Sequence, residues 1–197
     1  MQRESIAIDV DDTLANHVEV FIKFSNKHFG TKLELKDYRD NWSQTWGVDF
    51  EETERRAAVF HAGEDIFSMT IKEDAQATVA QLAKDYDLYI VTARNLRLKD
   101  LTHRWVEQHF PGTFKGIHFV PTWDINNKVS KADVCREIGA TYLVDDSPVH
   151  CNVAASGGMK AVLFGNYIWV AHEKLEDGVI SCGSWKEVGN HFSNLPT

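Results

Sequence analysis

Ile6-Ala7-Ile8 runs straight into Asp9-Val10-Asp11-Asp12-Thr13, so a short apolar segment ends on closely spaced carboxylates. An unbroken apolar run of this length suits a strand covered on both faces, as strands of parallel sheets are. In an extended segment residues two apart point to the same side, which sets Asp9 beside Asp11. Like charges that close raise each other's pKa unless a cation lies between them. A fold keeps such a pair for a metal, a nucleophile or an acid/base partner. The alternative is a strand followed by a polar turn whose Asp and Thr cap the next helix.

The pattern repeats along the chain. Apolar runs at 5–10, 88–92, 116–120 and 141–144 predict strands, with a fifth candidate at 160–164. Between them, 71–86, 98–110 and 130–138 carry apolar residues at three- and four-residue spacing, the last stopped by Gly139, and predict helices. Strands alternating with helices imply a doubly wound α/β fold: a parallel, Rossmann-like sheet with helices on both faces and right-handed crossovers. The span 15–70 departs from this rhythm. It holds no convincing strand and reads as a helix over 18–29, a polar and aromatic turn region over 40–48, and a helix over 50–61. The expected organisation is a core of residues 1–14 and 71–197 with a small helical cap, 15–70, inserted after the first strand. That position puts the insert above the carboxyl ends of the strands, where open α/β sheets bind ligands. From Gly165 on, a long loop, a short strand near Val179-Ile180 and a closing helix over 184–192 are expected.

Three of the strands end in polar clusters: Asp9 to Thr13 after the first, Thr92-Ala93-Arg94 after the second, and Asp145-Asp146-Ser147-Pro148 after the fourth. Lys131 opens the helix before the fourth strand, and Lys128 lies in the loop ahead of it. Parallel strands deliver all these groups to one edge of the sheet. Any one cluster can be explained as a capped turn, but not the whole set of chemical types in this order.

In that order the chain resembles the phosphatase branch of the haloacid dehalogenase (HAD) superfamily over nearly its whole length. Asp9 and Asp11 match its first motif, Thr92 its second, a lysine its third and Asp145-Asp146 its fourth. The inserted helices look like the superfamily's type-one cap. The segment Gly165-Asn166-Tyr167-Ile168-Trp169, with Gly178-Val179-Ile180 and Ser184-Trp185-Lys186-Glu187-Val188, looks more loosely like the tail of the 5′(3′)-deoxyribonucleotidase-like group.

The resemblance implies a Mg²⁺-dependent phosphomonoester hydrolase. Asp9 would be the nucleophile that forms an aspartyl-phosphate, and Asp11 the general acid/base. Mg²⁺, which suits oxygen ligands, would be held by the Asp9 carboxylate, the Asp11 backbone carbonyl and the fourth motif. Asp146 is the favoured direct ligand there, with Asp145 direct or through water. Thr92, Ala93 and a lysine would bind the phosphoryl group; Lys131 is preferred to Lys128 for its spacing to Asp145. Arg94 reads equally as a phosphate ligand or a structural ion pair. Asp12, where the family often has Gly, either caps the next helix or changes the charge of the metal site.

Nucleoside monophosphates are the first expected substrates. Phe67 and Trp46 are the candidates to meet a base, although packing within the insert's own core is the more economical reading of any one aromatic there. A sugar phosphate or other small metabolite, and a non-catalytic phosphoryl-binding module, remain alternatives. Dehalogenation would need neither a second acid at Asp11 nor the carboxylates at Asp145 and Asp146. A phospho-acceptor receiver domain would carry its aspartate at the end of a middle strand, and 116–120 ends in none.

Composition narrows the partners. A net charge of −8 argues against charge-driven binding of nucleic acid polymers. No apolar run is long enough to span a membrane, the first strand begins too near Met1 to leave room for a signal peptide, and the three scattered cysteines form no CxxC pair. A reducing, cytoplasmic compartment is therefore expected. The nine histidines show no metal-ligand spacing and read as solvated or structural, with His150, just after the fourth motif, as the one to watch.

Overall fold

A computed structural model describes residues 3–121, 129–170 and 174–195. Among them, β1 (Ser5–Ile8), β2 (Asp87–Thr92), β3 (Gly116–Phe119), β4 (Tyr142–Asp145), β5 (Lys160–Phe164) and β6 (Val179–Cys182) form one sheet in the order β3-β2-β1-β4-β5-β6. Every pairing is parallel. The helices are α1 (His17–Phe29), α2 (Trp42–Trp46), α3 (Phe50–Ala62), α4 (Ala75–Leu82), α5 (Lys99–His109), α6 (Lys131–Glu137), α7 (Pro148–Ser156) and α8 (Trp185–Ser193).

Alternation along the strands divides the core in two. Ile6, Ile8, Leu88, Ile90, Val144 and Val162 pack with Val79 of α4, Trp105 of α5 and Trp185 and Val188 of α8. Ala7, Val91, Leu143, Ala161 and Leu163 pack on the other face with Ala132 and Cys135 of α6 and Cys151 and Ala154 of α7. Coverage on both faces is why the strands read as unbroken apolar runs. The strand order reverses between β1 and β4, and the crevice outside their carboxyl ends is where such sheets place ligands.

α1, α2, α3 and two 3-10 turns, Leu35–Asp37 and Glu64–Ser68, fall between β1 and β2. They are held together by rings. Phe21 lies 4.7 Å from Trp42, 5.0 Å from Trp46 and 5.6 Å from both Tyr38 and Phe60. The two chain crossings between this segment and the sheet run side by side: the Asn16 amide donates to the Thr70 carbonyl (2.9 Å) and the Lys72 amide to that of Leu14 (2.8 Å). Two buried indoles brace these crossings, Trp185 donating to the Thr13 carbonyl (2.8 Å) and Trp105 to that of Met69 (2.9 Å).

Four elements differ from the sequence reading. β1 stops at Ile8, because the Val10 carbonyl accepts from the Leu14 and Ala15 amides and turns the chain. α4 starts at Ala75 rather than 71, since the Lys72 amide is engaged at the crossing and Asp74 is left-handed (φ 60°). Part of the expected turn over 40–48 is the short helix α2, begun by Asn41 accepting from the Ser43 amide and ended at Gly47 (φ 63°). α7 went unread; Pro148 starts it, as proline suits a first helical position, but its small Cys151 and Ala154 give a faint apolar stripe. No helix among the described residues is long and apolar enough to cross a membrane.

Candidate active site

The reversal point of the sheet gathers the predicted charges. Asp9 follows β1, and its amide donates to the Val144 carbonyl of β4 (3.0 Å), so β1 and β4 carry Asp9 and Asp145 side by side. Lys131, the first residue of α6, is 2% exposed and reaches both: its Nζ is 2.7 Å from Asp9 Oδ1 and 2.6 Å from Asp145 Oδ2. A capping box fixes the start of α6, with Ser130 accepting from the Asp133 amide and Asp133 from the Ser130 amide. Of the two candidate lysines, Lys128 lies outside the described residues.

Burial opposes charge throughout this cluster, and local partners decide the outcome. Asp9 is pushed up to about 6 by burial and by Asp145 and Asp11, although Lys131 pulls the other way. At Asp145 burial is outweighed by Lys131 and His150, and the carboxyl stays well below the usual range. Lys131 is likewise desolvated, yet Asp145 and Asp9 hold its proton more firmly than usual. Asp146 rises far above the ordinary value through burial and the nearby Asp145, Asp9 and Asp12.

Carboxylate oxygens of Asp9, Asp145 and Asp146 lie within 4.8 Å of one another. This all-oxygen set, with Asp146 repelled by its neighbours, suits a hard divalent cation. Asp145 is already committed: one oxygen faces Lys131, and the other accepts from the Ser147 amide (2.9 Å) and meets His150 Nδ1 (3.3 Å). Asp146 has no hydrogen-bond or ion-pair partner among the described residues. The Asp11 side chain is not part of this carboxylate set.

Asp11 belongs to a second group. Arg94 grips it with Nε 2.8 Å from one oxygen and a terminal nitrogen 2.6 Å from the other. The same guanidinium reaches Thr102 Oγ1 (3.1 Å) and the Met69 sulfur (3.6 Å). Burial disfavours the Asp11 charge, but Arg94, then His17, outweigh it and keep the carboxyl well below its usual range. In this structure the planar fork of Arg94 is paired with the Asp11 carboxylate, which it matches. Thr92, 1% exposed, accepts from the Arg94 amide (3.2 Å), and Ala93 between them is half-buried.

Asp12 sits in the left-handed region (φ 52°) and caps α1 through the Val18 amide (3.1 Å). It also takes Lys72 (3.1 Å), with His17 Nδ1 at 3.8 Å, while the Tyr167 hydroxyl donates to its backbone carbonyl. Capping was one of the two readings of Asp12 that the sequence left open. Sequence reasoning missed His17, Lys72 and Tyr167, since none has a spacing that ties it to the first motif.

The two proposed base-facing aromatics, Trp46 and Phe67, both pack against other side chains. Trp46 is buried within the inserted segment, its ring against Phe21 and Phe29 and its N–H donated to Ser25 Oγ (3.0 Å). Phe67 lies under the Arg104 guanidinium (4.7 Å) and lines a groove beside α5 and β3 with residues such as His103 and Phe114. Trp42 approaches the first motif through His17, on which it stacks at 6.0 Å, and Tyr167 reaches it through the Asp12 carbonyl.

A family model described as 5′ nucleotidase, deoxy (pyrimidine), cytosolic type C protein matches residues 3–192. The chain is 24% identical over 193 residues to a 5′(3′)-deoxyribonucleotidase of Bacillus subtilis strain 168, covering 94% of this chain and 96% of that one. Among solved structures it is similar to a haloacid dehalogenase-like hydrolase, SP0104, from Streptococcus pneumoniae, with TM-score 0.72, 13% identity and 96% and 98% coverage of the two chains. It is also similar to the HAD hydrolase YfnB from Bacillus subtilis bound to magnesium, with TM-score 0.64, 13% identity and 99% and 100% coverage. At such identities the structural likenesses show the fold.

Proposed function

The chain belongs to the 5′ nucleotidase, deoxy (pyrimidine), cytosolic type C family of HAD-type phosphatases, and from that membership we propose that it is a Mg²⁺-dependent phosphomonoester hydrolase acting through an aspartyl-phosphate, with nucleoside monophosphates as first substrates. The observation that carries the reading is the buried Asp9 at the β1–β4 reversal point, set against Lys131, Asp145 and Asp146.

An Asp9 oxygen forms a bond to phosphorus as the ester P–O bond breaks and the leaving oxygen takes a proton. Water then attacks the phosphorus of the aspartyl-phosphate, releasing phosphate and restoring the Asp9 carboxylate. Lys131 has three N–H bonds, of which two point at Asp9 and Asp145, leaving one for a phosphoryl oxygen. The Thr92 hydroxyl accepts from Arg94 and keeps its own O–H to donate. Asp9, Asp145 and Asp146, with the Asp11 carbonyl, would hold Mg²⁺. When bound, the ion supplies positive charge that offsets the carboxylates and polarises a phosphoryl oxygen.

Asp11 is the proposed proton donor, yet in the resting structure it is an anion locked on Arg94. Acid catalysis therefore requires that pair to open. An incoming phosphoryl group competes for the same guanidinium, and loss of Arg94 removes the strongest influence keeping a proton off Asp11.

Residues 15–70 act as the cap that encloses the alcohol half of the substrate. The working compartment is a reducing, cytoplasmic one, supported by three free, buried cysteines, and the partner is a small phosphorylated molecule rather than a nucleic acid polymer. A sugar phosphate is the second reading, favoured by the burial of Trp46 within the insert, where its N–H is bonded to Ser25. Phosphate release from a panel of nucleoside monophosphates and sugar phosphates, with Mg²⁺ and with chelator, tests both. Metal-dependent turnover fastest on nucleotides supports the first reading, and preference for sugar phosphates supports the second. Mg²⁺ binding without turnover on any substrate refutes the enzyme assignment in favour of a phosphoryl-binding module.

A further inference from the structure

His61 is the penultimate residue of the inserted helix α3, one turn before the chain descends through the Glu64–Ser68 turn to Met69, whose sulfur touches Arg94. Its ring lies 5.6 Å from Trp42, and Trp42 in turn stacks on His17, which stands beside Asp12. The three rings thus form a continuous series from the first motif up into the inserted segment. Unlike His17, which faces Asp12, or Trp42, whose N–H points at the Tyr38 hydroxyl (3.4 Å), His61 has neither ring nitrogen hydrogen-bonded among the described residues. Both nitrogens of this half-buried imidazole are therefore open to a partner from outside the protein.

We propose that His61 is a specificity-determining residue of this site, and that its imidazole hydrogen-bonds an uncharged carbonyl or hydroxyl group on the alcohol half of the phosphomonoester. The inference rests on the proposed phosphatase reading and assigns that site a contact outside the phosphoryl group.

The surroundings of His61 set its chemistry. Burial, then the neighbouring His17, Arg94 and Arg97, lower its pKa to about 4, with Asp11 acting in the opposite sense. It is therefore neutral at working pH, with one N–H to donate and one lone pair to accept. Such a group matches a neutral sugar hydroxyl or base carbonyl rather than a phosphate dianion, for which Lys131 and Thr92 are better placed. Its neighbours fit this division: the aromatic faces of Trp42 and Phe60 flank it, so its contact is made on an apolar wall.

The test compares wild type, His61→Ala and His61→Gln on the best nucleotide substrate, with inorganic phosphate as a competing inhibitor. Loss of one hydrogen bond raises KM by about fivefold to tenfold in His61→Ala, a larger change than any fall in kcat. His61→Gln, which keeps a donor and an acceptor, recovers most of the loss. The inhibition constant for inorganic phosphate, which has no alcohol half, stays within about twofold of wild type. Thermal unfolding of both variants separates a binding defect from a misfolded insert. An unchanged KM in His61→Ala, or an equal weakening of inorganic phosphate, overturns the assignment of His61 and leaves the phosphatase reading intact. Wild-type protein that turns over no phosphomonoester overturns both.

Discussion

At the β1–β4 edge, Asp9, Lys131 and Asp145 contact one another almost out of solvent, with the Asp146 carboxylate close by. In the inserted segment the buried groups are rings, and the ion pairs Glu52–Arg55 and Glu34–Lys36 lie on the outside. The first region is held by a cation shared between carboxylates against a desolvation cost, so removing that cation leaves uncompensated charge. The second is held by apolar contact, so truncation opens a cavity and leaves the charges untouched. Chemistry and enclosure are thus entrusted to different physical forces, and substitutions should separate them.

The largest effect is expected at the nucleophile. Asp9→Asn should lower phosphate release at least about 1,000-fold, as loss of a catalytic nucleophile does elsewhere. Its urea-unfolding midpoint should not fall, because the substitution removes a carboxylate that Asp145 and Asp11 already repel. Lys131→Met should damage both quantities. It strands Asp9 and Asp145 without their shared cation and should cost about 3–5 kcal/mol by denaturant unfolding, together with most of the activity. If Lys131→Met were as stable as wild type, the contrast between the two regions would not hold.

The inserted segment should respond more mildly. His61 has its pKa lowered from an ordinary 6.5 to about 4. Between those values the unfolded chain takes up a proton that the folded chain refuses, so this residue makes stability rise with pH across that window. Relative to His61→Gln, wild type should therefore lose about 1–2 kcal/mol as pH falls from 6.5 to 4, allowing for partial exposure of the ring. Urea unfolding of the pair at both pH values reads the difference, and parallel curves would mean that His61 is not desolvated. Smallest is Trp46→Phe, which keeps the ring packing and loses the hydrogen bond to Ser25, for about 1 kcal/mol. KM for the best substrate should not change; a rise would return Trp46 to the substrate's surroundings.

The same contrast explains what could be read in advance. The sheet edge was legible because parallel strands turn sequence position into spatial position: a residue that ends a strand is at the edge, whatever its side chain does next. Asp9, Thr92, Asp145 and the start of α6 at Lys131 follow from that rule. Pairing within the edge was less legible. Asp11 and Arg94 lie 83 positions apart, and nothing local says that the arginine turns to the carboxylate rather than outward. In the insert, helical periodicity located α1 and α3 but not which ring faces where. Phe60 and Trp46 turn into the packing, Phe67 turns toward α5, and His61 is left beside Trp42. That choice depends on how three short helices stack, and no single stretch of sequence encodes it. Asp12 is intermediate: helix capping, one of its two readings, is local, whereas Lys72 arrives from just beyond the far end of the insert.

The central claim is that the Asp9 carboxylate attacks phosphorus, and the most direct test is an acid quench of the working enzyme on phosphoryl-labelled substrate. If Asp9 is the nucleophile, the quenched protein carries a hydroxylamine-labile label that maps to the peptide containing Asp9 and is missing from Asp9→Asn. Rapid turnover in wild type with no covalent label at any time of quench, or a label mapped to another residue, would contradict it.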